Sequence, residues 1–276
     1  MKSMRIVFAG WKYIFENIWY VLPFAIVPGV FLALCVDFSS LSTVVHGFFT
    51  GNPNIDFVTC FRAWSFLRID SWLGGIYTAC AFLACAIFLA LILTFIEKHM
   101  RIGKRTLSGM LRQFASILPS AFLMTLCYFV FYEVWVVVLS ALLHLVSALH
   151  STAVVYILYI LVLGLLTMLL VYLSTLAYLF LPCKQITGFG FGDAFLYAYY
   201  LLIKVRRPLL LSMLLSLVVL LAVFIGISFL PVYIFRIVAV VLYLLAFMSF
   251  TVRMETTYFT ADKLDREDRL KSYREL

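Results

Sequence analysis

Charged residues are scarce in this sequence. They make up 12% of its 276 residues, whereas hydrophobic residues make up 65% and the mean hydropathy is +1.10. A single water-soluble core cannot enclose that much apolar surface, so lipid must be the solvent for most of the chain. The sequence also lacks a catalytic triad, a paired-carboxylate motif and a zinc-protease motif, and its six cysteines have no metal-ligand spacing. We therefore expect no enzyme, no metal and no other cofactor.

Six apolar segments are long enough to cross a bilayer. A transmembrane helix needs roughly 20 mainly apolar residues, because each residue advances the helix by about 1.5 Å across about 30 Å of hydrocarbon. The sequence therefore predicts an all-α, polytopic bundle of six transmembrane helices in residues 1–252, followed by a charged cytoplasmic tail in residues 253–276. The predicted spans are residues 18–36, 71–96, 117–143, 153–181, 209–229 and 232–252.

Lys and Arg are distributed unevenly between the connections of these spans. All but three of the 21 basic residues fall before span one, between spans two and three, between spans four and five, or after span six. Positive residues in short loops are retained on the cytoplasmic side, so both termini are predicted to be cytoplasmic, in a bacterial plasma membrane. The net charge of +8 then reflects topology and attraction to anionic headgroups, and we expect no nucleic-acid partner. The three exceptions are Arg62, Arg68 and Arg236.

Three stretches share one pattern, in which an aromatic and basic amphipathic segment runs into a proline and then into an apolar hairpin. Apolar residues at three- and four-residue spacing, with basic residues on the other face, favour a helix lying at the headgroup level. The pattern predicts three helical-hairpin units, each preceded by a cytoplasmic interfacial helix, of which residues 2–17 form the first. Aromatic belts, positive charge and proline are also common wherever a helix enters a membrane, so a true triplication of one unit and a shared membrane-entry pattern both stay open. The stretches are residues 10–23, 109–119 and 193–208.

Residues 37–70 form the only sizeable connection on the side opposite the termini. Within it, Thr59, Arg62, Ser65 and Arg68 recur at every third position among apolar residues. This spacing predicts a helix that lies on the outer leaflet with one wet face.

Two ionisable residues lie well inside the predicted spans. Glu133 is in span three, beyond the midplane, and Arg236 is about one turn inside the outer end of span six. A charge at the bilayer centre costs at least about 2.5–3.5 kcal/mol on insertion scales, which makes both residues candidate functional sites. Their similar depths predict an intramembrane ion pair between Glu133 and Arg236 that ties span three to span six. The functional alternative makes Glu133 a proton or cation site on a transport path.

The six spans and the helix-then-proline pattern at Pro23, Pro119 and Pro208 cover residues 4–252. In this pattern the chain resembles the membrane domain attached to some bacterial glycerophosphodiester phosphodiesterases, and related six-span bacterial membrane proteins. The resemblance implies a membrane bundle without phosphodiesterase activity, because the catalytic residues of that family belong to a separate soluble barrel domain. No segment of this sequence could form such a barrel.

The expected function is that of a non-catalytic integral membrane protein that organises or assists another membrane or envelope system. Its partners would be the lipid bilayer and a cytoplasmic or membrane protein, although the charged tail is predicted mainly to be solubilising. The alternative is the permease subunit of an export-type ATP-driven transporter, which the six spans and the basic loop between spans two and three also resemble. Against that alternative, only Leu230 and Pro231 separate the last two spans, where such permeases carry bulkier outer elements.

Overall fold

The structure is a computed structural model that describes residues 2–50, 56–68, 70–103, 109–149 and 151–274, with side chains described for residues 8–263 of those ranges and for Asp265. The described residues form helices joined by turns and contain no strand. The ten helices of these ranges are α1 (Lys2–Glu16), α2 (Ile18–Cys35), α3 (Phe38–Phe49), α4 (Phe57–Trp64), α5 (Trp72–Ile102), α6 (Met110–Ser147), α7 (Thr152–Leu176), α8 (Phe180–Thr187), α9 (Phe191–Ile227) and α10 (Val232–Arg274).

Six candidate spans in the described residues confirm the predicted all-α, polytopic bundle. They are α2, α5, α6, α7 together with α8, α9 and α10, and each is long and apolar enough to cross a bilayer. An even number of crossings brings α1 and the end of α10 to the same side of the bundle. We call this side the terminal side, and the side that carries α3 and α4 the loop side.

The three predicted interfacial segments join their spans in two different ways. α1 is a separate helix, because the chain leaves helical geometry at Asn17 before α2 begins. The other two segments are the first turns of α6 and α9, which continue through Pro119 and Pro208 without a break. Proline removes one backbone hydrogen bond, and in membrane helices neighbouring groups can compensate for it. The same sequence pattern therefore covers both a broken and a continuous helix.

Two hydrophobic cores are stacked along the bundle axis. Leu93 and Leu201 belong to the terminal-side core, whereas Leu139 belongs to the loop-side core. α2 and α10 run through both cores and approach each other closely, since a Cβ added at Gly29 would lie 3.0 Å from the backbone of Leu244. Small residues that allow such an approach are typical of helix contacts in membranes.

The predicted boundary after residue 252 falls inside α10, which continues to Arg274. Every residue from Thr251 to Tyr258 is buried. The reason is that α1, α2, α5, α8 and α9 all pack against α10, so its second half is surrounded by other helices. The first turns of the expected tail thus belong to the terminal-side core.

α3 and α4 cover the loop side. Asp37 and Asp56 accept backbone hydrogen bonds at the first turns of these helices, as N-caps do. The polar helix face predicted from Thr59, Arg62, Ser65 and Arg68 is exposed at Arg62 but not at Ser65, which is buried. A three-residue spacing places side chains on one face only while the helix continues, and α4 ends at Trp64. Ser65 is therefore turned into the bundle.

Candidate functional site

Glu133 is buried in α6, with 7% of its surface exposed. Its carboxylate accepts hydrogen bonds from the hydroxyl of Ser65, at 2.6 Å, and from the backbone N–H of Phe66, at 2.9 Å. The adjacent Tyr132 donates its hydroxyl to the carbonyl of Trp64 at 2.7 Å. Hydrogen bonds to a carboxylate are roughly twice as strong as neutral ones. Glu133 thus anchors the chain after α4 to α6.

Arg236 is held by the end of α2. Its Nη1 donates to the carbonyl oxygen of Ala33 at 2.8 Å and to that of Val36 at 3.0 Å. The last carbonyls of a helix have no partner within the helix, and a cation is favourable at that end. The structure therefore gives Glu133 and Arg236 separate partners in place of the predicted direct pair. Similar depth puts two residues at one level of the membrane, but it does not set the direction in which each side chain points.

Other charges on the loop side are also engaged locally. Arg68 donates to Asp70 at 3.0 Å, and this hydrogen bond lowers the pKa of Asp70 and raises the pKa of Arg68. Burial alone would raise the pKa of Asp37, but hydrogen bonds from Ser39 and Ser40 outweigh it and lower that pKa. Asp37 thus caps α3, and Arg68 and Asp70 pair within the connection between α4 and α5.

A lateral cavity of about 510 Å³ lies between α7, α9 and α10. Trp11 of α1 and Tyr128 of α6 complete its wall. Its volume is within the range of about 300–1,000 Å³ that is common for small-molecule sites. The lining residues Leu215 and Val219 are 49% and 55% exposed, so the cavity opens sideways, on a face of the bundle that meets lipid.

The cavity follows from the side chains that α9 and its neighbours present. No residue from Met213 to Val223 is buried, whereas Ser212 and Phe224 on either side of this stretch are. Small polar side chains from three helices line the wall, and they leave space that a leucine would fill. They are Ser174, Ser216 and Ser249.

Arg253 lines one end of the lateral cavity and is 5% exposed. Its Nη1 donates to the carbonyl of Ser212 at 3.3 Å, and its Nη2 donates to the hydroxyls of Ser216 at 2.6 Å and Ser249 at 2.8 Å. All three acceptors are neutral. Among the side chains that the structure describes, no carboxylate pairs with Arg253. Buried arginines are normally paired, so this one places an unneutralised positive charge in the cavity wall.

Polar and apolar lining residues are separated along the cavity. On α10, Arg253 lies about 16 Å nearer the terminal side than Leu242. On α9, which runs in the opposite direction, Ser216 likewise lies nearer the terminal side than Val223. The polar end of the cavity therefore faces the terminal side, and the apolar end faces the middle of the bundle.

The structure also shows a pair of buried acids that the sequence does not predict. Glu255 is 0% exposed, and neither of its carboxylate oxygens has a hydrogen-bond partner among the described residues. The charge of Glu97 is near enough to repel that of Glu255. The Glu97 carboxylate accepts a hydrogen bond from the side-chain amide of Gln113 at 2.6 Å and lies 3.1 Å from the Arg101 guanidinium. Glu97 directly follows the second predicted span and Glu255 lies three residues after the sixth, where solvent is expected. The signal available for Glu255 is that five of the seven residues 251–257 are polar and follow an apolar stretch.

These groups offer a ligand an apolar surface, one cation and a few hydroxyl groups. Within the described ranges, no group of three or more His, Cys, Asp or Glu side chains could hold a metal ion. Comparison with protein-family models, with curated proteins and with solved structures gave no match. The lateral cavity combines an apolar wall with one cation at its terminal-side end.

Proposed function

We propose that this chain is a non-catalytic integral membrane protein that assists another membrane or envelope system by holding one amphiphilic molecule from the bilayer. The observation that carries the proposal is the lateral cavity of about 510 Å³, with its apolar wall and Arg253 at one end. A concave, mostly apolar site with a few placed polar groups is the usual form of a ligand site.

The position of the cavity favours a ligand that comes from the membrane rather than from water. Leu215 and Val219 line the cavity and are also exposed on the outer surface of α9. An apolar chain can pass over these residues from the surrounding lipid without crossing a polar surface. The polar end, at Arg253, then meets the head of the same molecule.

A bound molecule would connect helices from different parts of the chain. α9 packs against both α7 and α10, and the cavity separates parts of these three helices. α1 shares the site through Trp11, while its Phe8 and Phe15 are 66% and 68% exposed. We propose that this exposed aromatic face of α1 contacts the bilayer surface and a membrane partner, so that occupancy of the cavity affects the surface seen by that partner.

The alternative is the permease subunit of an export-type ATP-driven transporter, with intramembrane acids on its transport path. The unpartnered Glu255 beside Glu97 favours this alternative, because acids inside membrane bundles often serve ion pathways. Against it, the carboxylate of Glu133 is already engaged by the chain after α4, and only residues 228–231 connect α9 to α10.

Native mass spectrometry of the full chain released from lipid nanodiscs tests the proposal. The wild type is expected to retain one phospholipid. Ala246→Phe adds a ring to the cavity wall and should abolish retention, whereas Ala153→Phe adds the same bulk at an exposed position of α7 outside the cavity and should not. A wild type that retains no lipid, or a folded Ala246→Phe variant that retains it equally well, would overturn the proposal.

Purification in mild detergent separates the proposed function from the permease alternative. An assisting protein is expected to elute without an ATP-hydrolysing subunit. Stoichiometric co-elution with such a subunit, together with substrate-stimulated ATP hydrolysis, would establish the permease role instead.

A further inference from the structure

We infer that the lateral cavity binds an anionic phospholipid of the terminal-side leaflet, with the phosphate of its head at Arg253. The inference rests on the proposed function and narrows it to one class of ligand. It is supported by the charge at the polar end of the cavity and by the level of that end in the membrane.

The charge of Arg253 calls for a negative partner. Taking a guanidinium out of water is unfavourable unless an anion or a full set of hydrogen bonds compensates. The three protein acceptors of Arg253 are a carbonyl and two hydroxyls, none of which carries a net charge. The side chain is 5% exposed, so it does not extend into bulk water as arginines near helix ends often do. An anionic head at this end of the cavity provides the opposite charge.

The hydrogen-bonding capacity of Arg253 also suits a phosphate. A guanidinium has five N–H groups in a planar fork. The three bonds to the protein use both hydrogens of Nη2 and one of Nη1. The second hydrogen of Nη1 and the hydrogen of Nε have no acceptor among the described residues, and phosphate oxygens are strong acceptors for such donors.

The level of this end of the cavity matches a lipid head. Trp11 lines the cavity from α1, and tryptophan is enriched where headgroups begin. The exposed Lys12 and Arg112 belong to the same terminal-side region. A basic surface of this kind attracts anionic lipids to the adjacent leaflet, which is the cytoplasmic leaflet in the predicted topology.

Other lipids fit the apolar wall but not the charge. A zwitterionic head brings a positive group close to Arg253, and a neutral head leaves the buried guanidinium without a counter-charge. Since acyl chains are shared among these lipids, the head at Arg253 is the part that selects between them.

Competition between two lipids with identical acyl chains tests the inference. The wild-type chain is placed in nanodiscs that contain equal amounts of phosphatidylglycerol and phosphatidylcholine, and the lipid retained after release is identified by native mass spectrometry. Phosphatidylglycerol is expected to be enriched on the order of tenfold over its share of the bilayer, because both lipids offer phosphate acceptors but only phosphatidylcholine brings a positive group close to Arg253.

Three variants test whether Arg253 causes the preference for phosphatidylglycerol. Arg253→Gln should retain a lipid but lose the enrichment, and Arg253→Lys, which keeps the charge with fewer donors, should keep part of it. Arg207→Gln removes an exposed charge from the same side and is expected to leave the enrichment unchanged.

The possible outcomes separate this inference from the proposed function. One retained lipid without charge preference in the wild type would overturn the inference and leave the proposed function standing, whereas no retained lipid would overturn both. Unchanged enrichment in a folded Arg253→Gln variant would also overturn the inference. If Arg253→Gln does not fold, the enrichment is compared between the wild type and Arg253→Lys. A partial loss in Arg253→Lys supports the inference, and no loss overturns it.

Discussion

The carboxylate of Glu133 allows a quantitative test of how the loop side is held. Replacing Glu133 by alanine removes the acceptor of the Ser65 hydroxyl and of the Phe66 N–H. Hydrogen bonds to a charged group contribute about 1.5–3 kcal/mol each, and relief from burying the charge offsets part of their loss. We therefore expect Glu133→Ala to destabilise the closed form of the segment after α4 by about 3 kcal/mol, a rise of about 150-fold in its open population.

Cys60 reports this opening. It is 0% exposed in α4, near Ser65, and burial raises the pKa of its thiol to about 11, so it reacts slowly while the segment is closed. In a chain whose other five cysteines are replaced by alanine, the rate of labelling of Cys60 by a membrane-impermeant maleimide should rise about 150-fold on Glu133→Ala.

Two matched variants define the cause of that change. Glu133→Gln keeps an acceptor oxygen for the Phe66 N–H and should raise the labelling rate of Cys60 by only about tenfold. Val134→Ala truncates the next residue, which is 56% exposed on the lipid-facing surface, and should leave the rate unchanged. A rate for Glu133→Ala within about threefold of the wild type would refute the reasoning that this carboxylate holds the loop side closed.

Three further expectations concern other charged groups. Arg236→Met should lower the stability of the bundle to thermal unfolding in detergent by about 2–3 kcal/mol, and Arg236→Lys by about half as much, because Lys keeps the charge at the end of α2; equal losses would count against a specific role for the guanidinium. Glu255→Gln should leave the unfolding midpoint unchanged or raise it, since the wild-type carboxylate has no partner among the described residues. Glu97→Gln should lower the midpoint, because it breaks the 3.1 Å contact with Arg101. A larger drop in the midpoint for Glu255→Gln than for Glu97→Gln would contradict this expectation. The pKa of Asp70 is lowered in the fold, so its charge stabilises the fold at pH values above its ordinary pKa. This contribution is lost as the pH falls through the lowered pKa. Asp70→Asn should therefore make the unfolding midpoint less sensitive to acidification below about pH 4.

The spans were predictable because length and hydropathy alone decide whether a helix can cross lipid. Hydropathy also marks Glu133 and Arg236 as unusual, since each is a charged residue within an apolar stretch. Their partners were not predictable. Position along a helix gives depth, but the direction of a side chain depends on how the helix packs against its neighbours. The carbonyls of α2 that bind Arg236 therefore have no signature in the sequence around it.

The terminal-side core was the part that sequence reasoning missed. Arg253 and Glu255 follow the last predicted span, so their polarity indicated a solvated tail. They are buried because α1, α8 and α9 pack around α10, which is a matter of contacts between distant segments. The lateral cavity has the same origin. Its small residues Ser174, Ser216 and Ser249 come from three different helices, and no periodicity within one helix records their meeting.

The most direct test of the ligand site is a high-resolution structure of the full chain in nanodiscs that contain phosphatidylglycerol. The account predicts elongated lipid density between α7, α9 and α10, with phosphate oxygens within about 3 Å of the Arg253 guanidinium and an acyl chain along Leu220 toward the middle of the bundle. A cavity closed by the packing of α9 against α7 and α10, or one in which no lipid head lies at Arg253, would contradict it.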